Sequence, residues 1–261
     1  MSARKFIQDF TVLKNIRLNP RHFILELLAP VKLPALFPGQ FVEVYVEDSH
    51  RTFLRRPFSI HSVNTAANTF QILIQIKGEG TKKLSSKSIG EKLNVIYPLG
   101  NSFTLPDTSD VLLVGGGCGV APLLFLAMQL NTNGINPRIL VGGKSKKDLL
   151  ELDEYRKYGE VLITTEDGSE GEKGLVTDHS IFSKEQHGFK MIYCCGPDPM
   201  MKKVAEIAGK YKAGCEVSLE NMMACGFGVC LCCVTQTLQG NQRVCVEGPV
   251  FNAKHLGWQK T

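Results

Sequence analysis

The sequence predicts an antiparallel β-barrel, then an α/β domain built on a doubly wound parallel sheet, then a cysteine-rich tail. Before about residue 100, runs such as "HFILELLAP" and "TFQILIQIKG" alternate apolar and polar residues between turns, which is typical of antiparallel strands. Beyond about residue 110, solid apolar runs such as "DVLLVGGG" alternate with helical stretches, which indicates buried parallel strands. Four cysteines fall between residues 225 and 233. We divide the chain into a barrel (1–102), an α/β domain (103–212) and a tail (213–261).

The composition excludes several classes of protein. Of 261 residues, 43% are hydrophobic and 21% are charged, which is ordinary for a globular chain. The net charge is +5 without a long basic tract, so we expect no nucleic-acid partner. No signal peptide or membrane-length apolar run is present, so we expect a cytoplasmic protein without a membrane partner. In a reducing cytosol, we expect the nine cysteines to be metal ligands or buried thiols rather than disulfides.

Two glycine-bearing segments follow buried strands of the α/β domain. The first contains Gly116, Gly117 and Gly119 between a strand and a helix, where backbone N–H groups can approach a phosphate. The second contains Cys195 and Gly196 after a later strand. Each segment could also be a plain turn, with Cys195 as a small core residue. Because ligands bind at the carboxyl ends of parallel strands, the two segments together predict a nucleotide site.

The barrel half contains a segment suited to binding phosphate, "LRRPFSI". Its central residues are Arg56, Pro57, Phe58 and Ser59. A guanidinium and a hydroxyl can both donate hydrogen bonds to phosphate oxygens, although an edge strand with exposed charges would look the same. Further along, "GEGTKKL" places Gly80 and Thr81 in a turn of small residues, which could equally be an ordinary loop.

The tail spaces four cysteines as Cys225-x4-Cys230-x2-Cys233-x11-Cys245. This is the plant-type pattern of a [2Fe–2S] cluster. A zinc site would more often show two C-x2-C pairs or histidines, and no histidine lies between residues 225 and 245. A purely structural role would require four close thiols by chance. Taking Cys232 in place of Cys233 gives a spacing that does not match, so we predict that Cys232 is not a ligand.

The segment Arg56 to Ser59 resembles the R-x-[YF]-[ST] flavin motif of the ferredoxin reductase superfamily, and the glycine segments are similar to its two nucleotide-domain motifs. That family joins a flavin-binding antiparallel barrel to a nicotinamide-binding α/β domain, in the order expected here. The resemblance implies that the chain binds FAD and NAD. Arg56 and Ser59 would hold the FAD phosphates, and Gly80 and Thr81 would meet the pyrophosphate. The isoalloxazine would be lined by Leu73, Ile74 and Gln75.

Nearly the whole chain resembles the electron-transfer subunits of type-B dihydroorotate dehydrogenase, most specifically in "SLENMMACGFGVCLCCV" and "VCVEGPVF". The resemblance implies an oxidoreductase subunit of pyrimidine biosynthesis. Dihydroorotate would be oxidised at FMN on a separate catalytic subunit, and this chain would pass the electrons through a [2Fe–2S] cluster and FAD to NAD+. The family forms a heterotetramer with two copies of each subunit. We therefore expect no catalytic residue for dihydroorotate in this chain.

Two positions depart from the family pattern. Gln75 stands where relatives often carry arginine, so its flavin contact could be through the backbone alone. After "RILVGG", the loop from Lys144 to Lys147 has no acidic residue. An acidic residue at this strand end favours NAD, whereas a basic group can accommodate the 2′-phosphate of NADP. We interpret the segment as a solvated lysine loop and keep NAD as the expected nucleotide.

Two alternative functions stay open from the sequence. The first is a flavin and iron–sulfur subunit of another complex, such as a bifurcating transhydrogenase, a glutamate-synthase-like enzyme or a sulfhydrogenase. The second is a redox-sensing or interaction protein with a vestigial flavin site, which would bind a cluster without reducing dyes from NADH.

Overall fold

The computed structural model describes residues 4–47, 52–183 and 188–258. The first part contains β1 (Phe6–Asn19), β2 (His22–Leu28), β3 (Phe41–Val44), β4 (Arg56–Asn64), β5 (Thr69–Gln75), α1 (Glu79–Ser85) and β6 (Lys92–Leu99). The second part contains β7 (Val111–Gly116), α2 (Ala121–Thr132), β8 (Arg138–Gly143), α3 (Leu152–Tyr155), β9 (Glu160–Thr165), β10 (Glu172–Lys173), β11 (Met191–Cys195) and α4 (Asp198–Lys210). The remainder contains β12 (Gly214–Ser218), β13 (Val234–Thr237), β14 (Gly240–Arg243) and β15 (Val250–Asn252). Among these ranges, no helix combines the length and the apolar character needed to cross a membrane.

The first six strands close into the predicted antiparallel barrel, in the order β1-β2-β5-β4-β3-β6. Alternate side chains of each strand point inward, and aromatic rings fill part of the interior. Phe10 meets Phe70 and Tyr97 edge to face, with ring centroids 5.0 and 4.9 Å apart. Leu84 of α1 packs into the same core, so this short helix belongs to the barrel.

The second part is built on a seven-stranded sheet in the order β10-β9-β8-β7-β11-β12-β15. All its pairings are parallel except that between β12 and β15. Helix α2 packs with Leu113 on one face of the sheet, and α4 packs with Leu112 and Val114 on the other. Because helices cover both faces, β7 is buried along its whole length. The predicted doubly wound parallel sheet is confirmed.

The tail is anchored at both ends to the sheet. Strands β12 and β15 extend the sheet at one edge, and Leu219 N–H donates to Pro249 O over 2.9 Å just beyond them. The Asn101 side chain donates to the carbonyl oxygens of Glu247 and Val250, each over 2.8 Å, and accepts the Val250 N–H over 2.9 Å. The cysteine-bearing loop between these strands therefore starts and ends at fixed points.

A buried histidine joins the barrel to the α/β part. His61 of β4 is inaccessible to solvent. Its Nδ1 donates to the carbonyl oxygen of Ala121, at the start of α2, over 2.7 Å. Its Nε2 contacts the Glu151 carboxylate from the segment before α3. One side chain of the barrel thus makes two polar contacts with the second part, which fixes how the two parts sit against each other.

We predict that His61→Ala lowers the stability of the holoprotein by about 3 kcal/mol, because it removes a fully buried side chain and leaves the partly buried Glu151 carboxylate without its contact. Thermal or denaturant unfolding measures the loss. Lys14→Ala is the matched control, since Lys14 pairs with Glu26 over 2.8 Å on the surface and such pairs contribute less than about 1 kcal/mol. Equal losses in the two variants would contradict the role given to His61.

Candidate functional site

A cleft of about 1040 Å³ lies between the barrel and the carboxyl ends of the parallel strands. Strands β7 and β11 are neighbours, with Cys195 opposite Gly115, so the loops that follow them meet as expected for an open α/β sheet. Five of the predicted cofactor residues line this cleft, namely Gln75, Gly116, Gly117, Gly119 and Gly196. The two glycine-bearing segments and one barrel residue therefore line a single concave surface.

Glycine occupies the positions in this region for different physical reasons. A β-carbon at Gly119 would lie 2.3 Å from the carbonyl oxygen of Cys195, and one at Gly116 would lie 2.5 Å from the sulfur of Met200. Gly119 is required because the backbone of one loop packs against that of the other, whereas at Gly116 only the flexible Met200 side chain of α4 would have to move. Gly117 differs, since it has φ of +55° and its β-carbon would meet no atom within 4 Å. Gly117 is therefore the glycine that presents open backbone to the cleft.

Cys195 lies beneath the cleft rather than in its wall. Its side chain is buried in the core beside Leu113 and Tyr193, and burial raises the pKa of its thiol well above the usual range. The cysteine that does line the cleft is Cys118, whose sulfur accepts the backbone N–H of Gln75. Burial raises the pKa of Cys118 to about 12, so both thiols stay protonated and neither is a nucleophile.

The predicted flavin motif opens strand β4. Phe58 turns into the barrel and packs against its core, which leaves Pro57 and Ser59 on the outer face because strand side chains alternate. Gly80 of α1 comes close to this motif, since a β-carbon there would lie 3.3 Å from Nε of Arg56. The fold thus brings Arg56 and Gly80 together, although neither lines the cleft described above.

An unpaired hydroxyl lies beside Arg56 and Gly80. Thr52 is 4% exposed, and its Oγ1 has no hydrogen-bond partner among the described residues, although buried hydroxyls are normally paired. The Thr52 methyl group is as close to Gly80 as the guanidinium is. The neighbouring Thr81 hydroxyl instead accepts the Gly78 N–H over 3.1 Å and so shapes its own turn. An arginine, a spare hydroxyl and a close backbone fit the diphosphate of FAD.

The predicted isoalloxazine segment at the end of β5 is divided between two environments. Ile74 belongs to the barrel core, whereas Leu73 packs against the α/β part. Gln75 lines the cleft and uses its backbone N–H to bind Cys118. Of the three residues, Leu73 and Gln75 lie where the barrel meets the sheet, and Ile74 supports them from behind.

Three charged residues that the sequence-based predictions left without a role complete the cleft wall. Lys77 comes from the barrel, Asp198 from the start of α4 and Glu220 from the tail. Glu220 opens toward the cleft but has protein on most sides. Burial raises the pKa of its carboxyl, Lys77 opposes that rise and Asp198 reinforces it. These residues supply a cation for phosphate and a carboxyl group for hydroxyl or amide groups of a dinucleotide.

The lysine loop after β8 is partly neutralised by acidic groups. Lys146 is largely exposed and lies 3.0 Å from Glu170, as expected for a solvated loop. Asp148 accepts hydrogen bonds from the N–H and the hydroxyl of Ser145, over 3.1 and 2.8 Å, and also lines the cleft. The loop therefore has an acidic neighbour one residue beyond the segment considered in the sequence. The preference for NAD stays a prediction.

The four predicted cysteine ligands lie in two pairs. The thiols of Cys225 and Cys230 interact with each other, and so do those of Cys233 and Cys245. Backbone groups also face the sulfurs: Cys225 Sγ accepts the N–H of Val229 and Cys230 over 3.4 and 3.5 Å, and Cys233 Sγ accepts the Cys245 N–H over 3.4 Å. Such N–H donors are a usual feature of the surroundings of cluster sulfurs.

The paired arrangement fits a two-iron cluster. Within the described ranges, no three His, Cys, Asp or Glu side chains surround a point that could hold one metal ion, whereas a two-iron cluster needs only two thiolates at each iron. Burial raises the pKa of Cys225, but the backbone N–H groups of Cys230 and Phe227 outweigh it and hold this pKa at about 6. Cys232 is exposed, and no hydrogen bond between described residues joins it to either pair.

We predict that Cys233→Ser abolishes the iron–sulfur cluster and that Cys232→Ser retains it. Cys233 is buried against Cys245, whereas Cys232 faces solvent. Iron and acid-labile sulfide content and the visible spectrum of anaerobically purified protein measure the outcome. Cluster loss in the Cys232 variant alone would show that Cys232, and not Cys233, is the ligand.

We also predict that Gly119→Ala weakens NADH binding and lowers stability by about 2 kcal/mol, because its methyl group overlaps the Cys195 carbonyl oxygen and forces the two loops apart. Equilibrium titration with NADH and thermal unfolding check this. Gly134→Asn is the control, since Gly134 has φ of +76° with no atom within 4 Å of its β-carbon and asparagine tolerates that conformation. A Gly119 variant as stable as the control would contradict the packing argument.

Three family models match the chain in the order of its three predicted parts. An oxidoreductase FAD-binding domain matches residues 10–103, and an oxidoreductase NAD-binding domain matches residues 113–206. The iron–sulfur cluster binding domain of dihydroorotate dehydrogenase B matches residues 220–257. The cofactors indicated by the residues are thus the cofactors of the matching families.

Curated relatives match almost end to end. The dihydroorotate dehydrogenase B (NAD(+)) electron transfer subunit of Fusobacterium nucleatum is 37% identical over 257 residues, which cover 96% of this chain and 98% of the relative. The subunit of the same name from Caldanaerobacter subterraneus is 39% identical over 223 residues, which cover 84% of this chain and 86% of the relative.

Solved structures show the same architecture. An NADH-dependent reduced ferredoxin-NADP oxidoreductase, described in work on flavin-based electron bifurcation, superposes with a TM-score of 0.86 at 29% identity and covers 99% of this chain and 92% of its own. The ferredoxin reductase of carbazole 1,9a-dioxygenase shares the fold, with a TM-score of 0.68 at 19% identity over 80% of this chain and 67% of its own. On its sequence relatives and its three domain matches, the chain belongs to the family of dihydroorotate dehydrogenase B electron transfer subunits.

Proposed function

We propose that this chain is the electron-transfer subunit of an NAD-dependent dihydroorotate dehydrogenase of pyrimidine biosynthesis. It passes electrons from FMN on a catalytic partner through a [2Fe–2S] cluster and FAD to NAD+. One observation carries the proposal: the loop with the paired thiols rests on barrel strand β3, where Gly226 abuts Glu43, and β3 pairs directly with the strand that opens with the flavin motif. The cluster site and the flavin site are therefore neighbours.

The residues divide into three functional groups, which we propose to correspond to 1–102, 103–212 and 213–261. Arg56 and Ser59, with Gly80, hold the FAD diphosphate, and Leu73 and Gln75 lie beside its ring system. The backbone at Gly117 and the charged cleft residues bind NAD. The cluster ligands are Cys225, Cys230, Cys233 and Cys245.

The protein contributes position and electrostatics to this reaction. When bound, FAD exchanges electrons singly or in pairs and the cluster exchanges them singly, which is chemistry that no side chain supplies. The doubly anchored tail holds its thiols against the barrel. Lys77 offers a positive charge to a nucleotide phosphate in the cleft, and the raised pKa of Cys118 keeps an inert thiol beside Gln75.

An apolar surface around the cysteine loop is suited to the catalytic partner. Met222 and Val229 are 82% and 74% exposed, and Phe227 and Leu231 are also exposed. Exposed large apolar side chains grouped on one loop mark interaction sites more often than scattered ones do. A partner that covers this loop brings its own redox centre close to the cluster ligands. We propose a heterotetramer with two copies of each subunit, on the resemblance to the family.

The proposal predicts that the chain co-purifies with an FMN-containing subunit that oxidises dihydroorotate. The complex should reduce NAD+ with dihydroorotate as the electron donor. Co-purification, the flavin content and the activity of the complex test it. Recovery of a different redox partner would assign the chain to another complex, such as a bifurcating enzyme. A protein without visible absorbance after anaerobic reconstitution with iron, sulfide and FAD would defeat the cofactor assignments.

We predict that Val229→Asp reduces dihydroorotate-driven NAD+ reduction at least tenfold while leaving NADH-driven dye reduction unchanged, because a charge buried in an apolar interface weakens binding of the partner. Both activities and the yield of complex are measured. Ile89→Asp is the matched control, since Ile89 is 72% exposed on a barrel turn away from the loop. An equal effect of the two variants would contradict the placement of the interface.

A further inference from the structure

A buried acidic side chain lies beneath the cysteine loop and has no assigned role. Along β3, Val42 and Val44 point into the barrel core, so Phe41 and Glu43 point outward. Phe41 joins the apolar core that also contains Cys233 and Cys245. Glu43 is 0% exposed, and neither of its carboxylate oxygens has a hydrogen-bond partner among the described residues.

The backbone of the cysteine loop covers this carboxyl group. A β-carbon at Gly226 would lie 2.7 Å from Cδ and 2.9 Å from Oε1 of Glu43. Gly226 directly follows Cys225, and Glu43 is paired in register with Pro57 of the flavin motif on the adjacent strand β4. The carboxyl group therefore lies between the loop that carries the thiols and the strand that carries the flavin motif.

The nearest cation does not neutralise Glu43. Arg55 directs its guanidinium to the backbone oxygens of Glu43 and Asn94, over 3.5 and 3.0 Å, and to the side-chain oxygen of Asn94 over 2.5 Å. It also stacks on Tyr45, with its Cζ 5.4 Å from the ring centroid. Burial and the neighbouring Cys225 raise the pKa of Glu43 to about 7, and Arg55 opposes that rise. Arg55 thus lies near Glu43, but its guanidinium forms its hydrogen bonds with other groups.

Stability alone does not account for an acid at this position. A buried carboxyl group without hydrogen bonds is unfavourable, and an apolar residue of similar volume would suit the surrounding core better. Buried acids with perturbed surroundings are concentrated at functional sites. The role of the Glu43 carboxyl group therefore depends on what the cysteine loop above it binds.

We propose that Glu43 is a tuning residue that lowers the one-electron reduction potential of the iron–sulfur cluster bound by Cys225, Cys230, Cys233 and Cys245. The inference rests on the cluster assignment in the proposed function. A negative charge beside a centre that gains an electron disfavours reduction, and the effect is strong where water is excluded. The cluster then gives up each electron more readily toward the flavin side.

The test is the cluster midpoint potential of Glu43→Gln in the purified complex at pH 9, measured by a redox titration followed by electron paramagnetic resonance. Glutamine keeps the volume and removes the charge. We expect the equilibrium constant for reduction of the cluster to rise about tenfold, which is about 59 mV for one electron. Glu43→Met removes the charge with an apolar side chain and should shift the potential in the same direction.

Glu26→Gln is the matched control, because Glu26 pairs with Lys14 on the outer surface of β2 and should leave the potential unchanged. Iron and sulfide content confirm that each variant retains its cluster. A wild-type potential in cluster-loaded Glu43→Gln and Glu43→Met overturns the inference, and so does loss of the cluster in both variants, which would assign Glu43 to loop structure. A wild-type complex without any iron–sulfur cluster would instead overturn the proposed function.

Discussion

The antiparallel pairing of β15 with β12 is the constraint on which the rest of this structure depends. It returns the chain to the edge of the parallel sheet after the cysteine loop, and the Asn101 side chain secures the return with three hydrogen bonds. A loop rich in thiols and glycine has little core of its own. Because both of its ends are fixed, its entropy of ordering is reduced, and its thiols are held against the barrel. The position of the cysteine loop against the barrel follows from this closure.

Close packing of backbone segments also shapes the nucleotide cleft. The loops after β7 and β11 pack so closely that Gly119 has no room for a side chain, and this contact sets the shape of the cleft floor. Charged groups then arrive from three distant parts of the chain to form the wall. In the proposed function, a dinucleotide would meet a closely packed backbone floor with side chains of mixed charge around it, an arrangement that limits how much must be ordered when the ligand binds.

Two buried polar side chains lie at the boundaries between the barrel and the other parts of the fold. His61 links the barrel to the sheet through two polar contacts in a dry environment. Glu43 occupies the corresponding boundary between the barrel and the tail but has no partner of its own. A satisfied buried group stabilises an interface, whereas an unsatisfied one is a cost. The contrast between these two residues is the reason for assigning structure to the first and redox tuning to the second.

The sequence by itself determined the barrel and the parallel sheet, because each depends on local spacing: a period of two in strands and solid apolar runs in buried strands. The x4 and x2 intervals between Cys225, Cys230 and Cys233 likewise predicted the cluster ligands from local spacing. The tertiary structure alone decided which glycines serve packing and which faces the cleft. It also placed Glu220 and Lys77 in the wall of the cleft, Thr52 beside Gly80, and Glu43 under the cysteine loop. The sequence assigned no role to these residues, since their surroundings come from strands and loops far away in the chain, and only the folded register brings them together.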